Sequence, residues 1–435
     1  MIAEFKVQNF FSIRSEQMIS FICSSDTFMS EEYCVEVKPG LKLLKMGVVY
    51  GANASGKSNL LQAVEFFRYM ACHVSKDRSS SIHVVPFMLD DKSRQERTKM
   101  SMTFYIDGEK YILAMEFDAM RFYEESLIAY TSPKGTTLYN RSYNKETDSS
   151  SITFSTKLGL MKKSKDVITG NTLNNRSVLA AFSVSNIESS KLNDVYSYFS
   201  NHIPDVLEPN MMLSSYIKRK LEQDKDGSLK SFLLKFLKAS DFNIKNFELN
   251  DEEMPITPEM EKVIQSSPLS DDKKTQMMQK GTIVSSSLNF VHSTEDGEHD
   301  LPEKYESRGT IRFMGMSVIL KQLLKDGNFV MMDEIESSIH YELLSYFLKV
   351  FLVNNNKESQ LFVTTHDVNL LNEDFIRRDC IWFTEKNAAG ETLVKRLSEM
   401  GLHKNLSPYN AYRQGKLIDL PFLGSPYLSL NDECT

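Results

Sequence analysis

Residues 51–58 read Gly51-Ala52-Asn53-Ala54-Ser55-Gly56-Lys57-Ser58, a complete phosphate-binding loop of the Gly-x-x-x-x-Gly-Lys-Ser type. Before it, Met46-Gly47-Val48-Val49-Tyr50 is short and apolar, as a buried strand requires. After it, Asn59-Leu60-Leu61-Gln62-Ala63-Val64-Glu65-Phe66-Phe67 has helical periodicity. Strand, loop and helix in that order are the context in which the motif has a mechanism. The glycines let the backbone curl so that successive N–H groups point at phosphate oxygens. The positive end of the following helix adds a favourable field. Gly51, Asn53, Ala54, Ser55, Gly56, Lys57, Ser58 and Asn59 are therefore the candidate nucleotide-binding residues. Within them Lys57 suits the β- and γ-phosphates, and the Ser58 hydroxyl suits Mg2+.

A second apolar run, Asn328-Phe329-Val330-Met331-Met332, ends in Asp333-Glu334. A strand that delivers two carboxylates is a Walker B pattern. Asp333 would hold the same Mg2+ as Ser58, and Glu334 would orient or deprotonate the attacking water. Alone, the pattern equally suits a buried strand that meets an acidic loop. A third run, Gln360-Leu361-Phe362-Val363-Thr364-Thr365, ends in His366. The C-terminal ends of strands in α/β sheets are where ligands bind, so His366 is a candidate contact for a γ-phosphate oxygen or the attacking water. Between the loop and the acidic strand stands Glu306-Ser307-Arg308-Gly309-Thr310, before an apolar helix over 311–324. Ser307 and Gly309 can bind phosphate at that helix start, or Ser307 can simply cap it.

The bulk numbers exclude several classes. The chain has 435 residues, 41% hydrophobic and 25% charged, as in a globular protein with a sizeable core. A formal net charge of −7 gives no overall electrostatic footprint for nucleic acid, although a local basic face stays compatible with one. No apolar run reaches the roughly 18 residues of a membrane span, and the N-terminus lacks the pattern of a signal peptide. Cys23, Cys34, Cys72, Cys380 and Cys434 are scattered without a Cys-x-x-Cys pair, which argues for a reducing cytoplasm and against a disulfide framework or zinc site.

Along the chain, the first residues read as an edge-type strand, and 35–50 hold a further strand. The helix after Ser58 is expected to reach about Val74. Strands are expected over 102–106 and 111–117, joined by an Asp107-Gly108 hairpin, and a third near 125–130. From about 145 to 300 the texture turns polar and Ser-rich, with helical patterns near 176–200 and 210–240 and a solvated loop at 250–255. From 301 strands and helices alternate again.

These pieces together resemble the ABC-type ATPase head, and more narrowly its SMC/RecF/OLD-like branch, which includes bacterial antiphage-defence ATPases. The start, Phe5-x-Val7-x-Asn9-Phe10-Phe11-Ser12-Ile13, is similar to that branch's opening strand, and Gly56-Lys57-Ser58-Asn59 to its usual loop ending. Glu306-Ser307-x-Gly309-Thr310 looks like its variant of the signature motif. Glu336-Ser337-Ser338-Ile339-His340 resembles a D-loop, and Arg377 to Phe383 a late strand of the defence ATPases. The likeness covers roughly 1–130 and 300–435. It implies ATP as substrate with Mg2+, and Lys57, Ser58, Asp333, Glu334 and His366 acting in one subunit. It further implies that Ser307 and Gly309 of another subunit close on the γ-phosphate, giving a homodimer or higher oligomer of heads. No convincing Q-loop glutamine is present (Gln95 stands in a polar stretch), and the stretch after His366 is not expected to form a nuclease domain.

The expected fold is α/β: an ABC-type P-loop NTPase head with an antiparallel β subdomain and a mostly helical insertion. The head's first part would be 1–145, the insertion 146–300 and the second part 301–435. The expected function is a cytoplasmic ATPase that gates a separately encoded effector in antiphage defence. The alternatives are a repair or recombination ATPase acting on DNA ends or gaps, and a slow-hydrolysing nucleotide sensor.

Overall fold

The computed structural model describes residues 1–267, 270–403 and 406–419. The tail expected as the end of the head, with Cys434, lies partly outside these. The chain forms two compact units: one of 1–209, 323–337 and 348–435, the other of 210–322 and 338–347.

The first unit is a mixed α/β fold built on two large sheets and a strand pair, Cys34–Lys38 with Leu41–Leu44. Its five-stranded sheet has the order Phe329–Met332, Gln360–Thr365, Met46–Gly51, Ile381–Lys386, Thr392–Arg396. The first four strands are parallel, and the last pairs antiparallel. The three central strands are buried along nearly their whole length, which explains their continuous apolar reading. Leu207 adds a parallel bridge outside the Phe329–Met332 strand. The second sheet is antiparallel and seven-stranded: Ser149–Phe154, Thr136–Asn144, Phe122–Tyr130, Glu109–Phe117, Thr98–Ile106, Ile2–Gln8, Gln17–Ser20. The Asp107-Gly108 turn has φ of 48° and 77°. Both central residues are thus left-handed, as a type I′ hairpin requires.

The helix Lys57–Cys72 packs against strands of the parallel sheet. Its Phe67 ring also meets Phe5 of the antiparallel sheet at 5.7 Å and Phe199 of the helix Ser190–His202 at 5.8 Å. Phe21, Phe329, Phe362 and Trp382 form a second buried ring cluster. Each such ring contributes about 1.5–3 kcal/mol on burial, more than a typical hydrogen bond at about 1 kcal/mol, so packing dominates. Hydrogen bonds instead set register. The buried Gln360 side chain accepts from the Ile2 amide at 2.6 Å and donates to the carbonyls of Ile2 and Leu44 at 2.9 and 3.0 Å.

Three expectations need correction. The N-terminal strand is not an edge: Ile2–Gln8 is paired on both sides, and Gln17–Ser20 takes the edge. The stretch 250–255 is not a loop but part of the strand Ile244–Pro255, paired with Thr282–Thr294. Its exposed acidic residues, such as Asp251 and Glu253, mask the strand because both faces there are wet. The stretch 146–300 holds more helix than strand, but it is not one insertion. Its first residues, Ser149–Phe154, complete the antiparallel sheet, and the helices up to His202 belong to the first unit.

The second unit combines a three-stranded antiparallel sheet, Ile244–Pro255, Thr282–Thr294 and Gly297–Pro302, with helices. Its core stacks Phe236 on Phe313 and Tyr346, at 5.3 and 5.5 Å.

Candidate functional site

The strand Met46–Gly51 ends in the loop, and the helix Lys57–Cys72 begins at its far end. Gly56 has φ of 102°, and a Cβ there would collide with the Thr392 hydroxyl. A Cβ at Gly51 would collide with Thr384. Gly56 is thus required by backbone shape and by close approach, and Gly51 by close approach alone. Asn53 and Ala54 form the exposed crest, with Ala54 at φ 61°. Ser55 points inward: its hydroxyl meets Thr384 Oγ1 at 2.6 Å, and its carbonyl accepts from Thr392 Oγ1 at 2.8 Å. Asn59 donates to Ser12 Oγ at 2.6 Å, and Ser12 Oγ lies 2.7 Å from Thr392 Oγ1.

Lys57 is buried. Its ammonium donates to the carbonyls of Gly51 and Ala52 at 2.9 and 3.1 Å, and faces His366 Nδ1 at 3.4 Å. Burial holds its pKa below the ordinary lysine value; the carboxylates of Asp333, Glu334 and Glu336 pull it back up. An ammonium can only donate. The His366 Nδ1 facing it is therefore the acceptor of that contact, and Nε2 stands 3.7 Å from Glu334 Oε1.

The strand order explains this meeting. The strand that ends at Thr365 lies between the loop strand and the acidic strand, so His366 stands between Lys57 and Glu334. Thr364, also at that strand's end, donates its hydroxyl to Asp333 Oδ1 and accepts from the Glu334 amide at 2.9 Å. The His366 amide donates to Glu336 Oε1 at 2.6 Å. Glu334 is held at φ 44°, a left-handed backbone that costs a glutamate free energy and survives only where its surroundings enforce it.

One carboxylate from Asp333 and one hydroxyl from Ser58 are hard oxygen donors. Mg2+ takes such a sparse protein set and completes its shell with phosphate oxygens and water. Among the described residues no group of three or more His, Cys, Asp or Glu could hold a metal by themselves. The donor set fits Mg2+ bound with a nucleotide better than a structural metal.

Lys57, Ser58, Asp333, Glu334 and His366 all belong to the first unit. Ser307 and Gly309 belong to the second, at the start of the helix Arg308–Asp326. There Ser307 Oγ accepts from the Thr310 amide at 3.0 Å, an N-cap. A Cβ on Gly309 would stand 2.8 Å from the Ser338 carbonyl, so only glycine lets the helix start approach that segment. Ser338 itself has φ 59°. Gln95 is exposed in a short turn, Ser93–Gln95.

Ser12, Thr364, Thr384 and Thr392 were not legible as site residues. Each supports the loop or Asp333 through a tertiary hydrogen bond, and only the resemblance pointed at Ser12.

A family described as "AAA domain, putative AbiEii toxin, Type IV TA system" matches residues 47–372, about three quarters of the chain. No curated protein matches the chain. Among solved structures, the SMC head domain from Thermotoga maritima aligns at 14% identity, over 91% of this chain and 98% of its own, with a TM-score of 0.40. An SMC head bound to the C-winged helix domain of ScpA aligns at 14% identity, over 92% and 99%, with a TM-score of 0.45. Among the described residues no helix is long and apolar enough to cross a membrane.

Proposed function

The chain belongs to this family of AAA domains, and on that premise we propose that it binds and hydrolyses ATP to gate a separately encoded effector. The observation that carries the reading is the convergence of Lys57, His366 and Glu334 at adjacent strand ends, 3.4 and 3.7 Å apart from one side chain to the next. Backbone N–H groups of the loop would hold the phosphates, and Lys57 would leave its carbonyl partners to meet the β- and γ-phosphates. Ser58 and Asp333 would hold Mg2+, which supplies charge neutralisation at the phosphate oxygens when bound. Thr364 keeps the Asp333 carboxylate oriented. Glu334 would take the proton of the attacking water, and His366 would donate from Nε2 to Glu334 or to a γ-phosphate oxygen.

We further propose that two heads share the nucleotide, with Ser307 and Gly309 of one reaching the phosphate bound by the other. The helix start is suited to it: Ser307 brings a hydroxyl, Gly309 a backbone with no side chain in the way, and the helix end a positive field. Ser307→Arg is expected to abolish turnover but spare ATP binding, and Lys57→Ala to abolish turnover through its own site. Mixed in equal amounts, the two chains should regain about a quarter of wild-type activity, because half the dimers carry one intact site. No recovery with both variants folded would reduce Ser307 to the N-cap.

An effector is proposed because, beside the candidate nucleotide site, the described residues hold no group of three or more His, Cys, Asp or Glu that could hold a metal for chemistry of its own. The toxin in the family description favours a defence setting. The same word favours a second reading, in which this chain is itself the toxic agent. Affinity capture of the tagged chain from its native host, with and without phage infection, separates the two. The first reading expects one separately encoded protein at a stoichiometric level, lost in Lys57→Ala. Growth arrest on expressing the chain in an unrelated host, with no partner captured, would support the second.

A further inference from the structure

Cys23 and Cys34 are eleven positions apart and share no motif, yet the fold places their sulfurs 2.7 Å from each other, against about 2.05 Å in a disulfide. Both flank the short strand Leu41–Leu44. The Cys23 amide donates to the Lys42 carbonyl at 2.9 Å, and Cys34 stands opposite Leu44 in the strand pair. Two residues on, Met46 opens the strand that carries the phosphate loop. Both cysteines are partly exposed, whereas Cys380 is buried.

The surroundings of the pair are built. Arg377 and Asp379, both buried, form a bidentate ion pair at 2.9 and 2.7 Å. Asp379 Oδ2 also accepts from the Ser24 amide and hydroxyl, each at 2.8 Å. Arg377 donates to the carbonyls of Asp26 and Phe28. The segment that follows Cys23 is therefore pinned at Ser24, Asp26 and Phe28, while Cys34 is held in the strand pair, so the sulfurs need not search for one another. The two thiols are unequal. A hydrogen bond from Cys23, together with the nearby Arg377 guanidinium, holds the Cys34 thiol down at about 7, and the same bond pushes Cys23 up. Burial pushes Cys72 and Cys380 up.

We propose that Cys23 and Cys34 are a reversible thiol–disulfide site, oxidised by a peroxide, with Cys34 as the attacking thiol and Cys23 as the resolving one. The Cys34 thiolate attacks one peroxide oxygen; the S–O bond forms, the O–O bond breaks and hydroxide leaves. The Cys23 thiol then attacks the Cys34 sulfur; the S–S bond forms, the S–O bond breaks, and water leaves with the Cys23 proton. The two sulfurs lose two electrons, and the peroxide is reduced to two waters once the hydroxide takes up the proton Cys34 had lost. A dithiol reverses the step by exchange. The bond would tie the segment held by Arg377 and Asp379 to the strand pair that precedes the phosphate loop.

The test treats the reduced full chain with hydrogen peroxide at neutral pH, blocks remaining thiols with N-ethylmaleimide and maps peptides by mass spectrometry. The expected product is an intramolecular Cys23–Cys34 link that disappears with dithiothreitol. In Cys23→Ser, where the serine hydroxyl can still donate to the Cys34 sulfur, dimedone should trap a sulfenic acid on Cys34 at least about tenfold faster than on Cys72 or Cys380, whose thiols burial pushes up. The mapping of the wild-type chain stands even where a variant fails to fold. Folded chain that keeps both thiols free under peroxide, or links other cysteines instead, would overturn the proposal.

Discussion

Replacing Glu334 with Gln is expected to lower ATP turnover about 100-fold or more while leaving ATP binding unchanged. Glutamine keeps the volume and one hydrogen-bond acceptor, so the strained backbone at φ 44° and the amide contact to Thr364 are retained. What is lost is the carboxylate that faces His366 Nε2 and is 44% exposed, open to a water molecule. Steady-state phosphate release and equilibrium binding of a fluorescent ATP analogue separate the two effects. Turnover equal to that of the wild type would remove Glu334 from the role of base.

Lys57→Ala is expected to act on binding itself. The lysine ammonium already sits on the loop, held by the carbonyls of Gly51 and Ala52. Charge-assisted hydrogen bonds contribute about 1.5–3 kcal/mol, so losing the contacts to phosphate should weaken ATP binding by roughly 10- to 100-fold. The substitution also leaves two carbonyls and His366 Nδ1 without the ammonium. A circular dichroism melt of the variant therefore accompanies the binding isotherm. Undiminished affinity in a folded Lys57→Ala chain would mean that the phosphates do not lie where the loop directs them.

The parts of this site that are contiguous in sequence were readable from it. The loop 51–58 and the pair Asp333-Glu334 announce themselves because strand, turn and functional group follow one another within a few residues. His366 was readable only as a strand end. Its place between Lys57 and Glu334 comes from strand order, which is a tertiary fact. The threonines that shape the site were invisible for the same reason: Thr364, Thr384 and Thr392 reach Asp333, Ser55 and the Gly56 cradle from other strands, and threonine in a strand reads as β-propensity. The Cys23 and Cys34 contact was hidden because no spacing rule covers a loop residue and a strand end folded beside the same strand. The misread strand at 250–255 teaches the converse. Periodicity reports burial, so a hairpin solvated on both faces carries no alternation to find.

If Lys57 and the acidic strand form one working nucleotide site, ATP turnover depends on both. Phosphate release from ATP, followed for wild-type and Lys57→Ala chains side by side with Mg2+ present, tests it most directly. Mg2+-dependent turnover by the wild type and only background release by the variant are expected. Equal release from both chains, or none from a folded wild type that still binds ATP with its partner present, would contradict it.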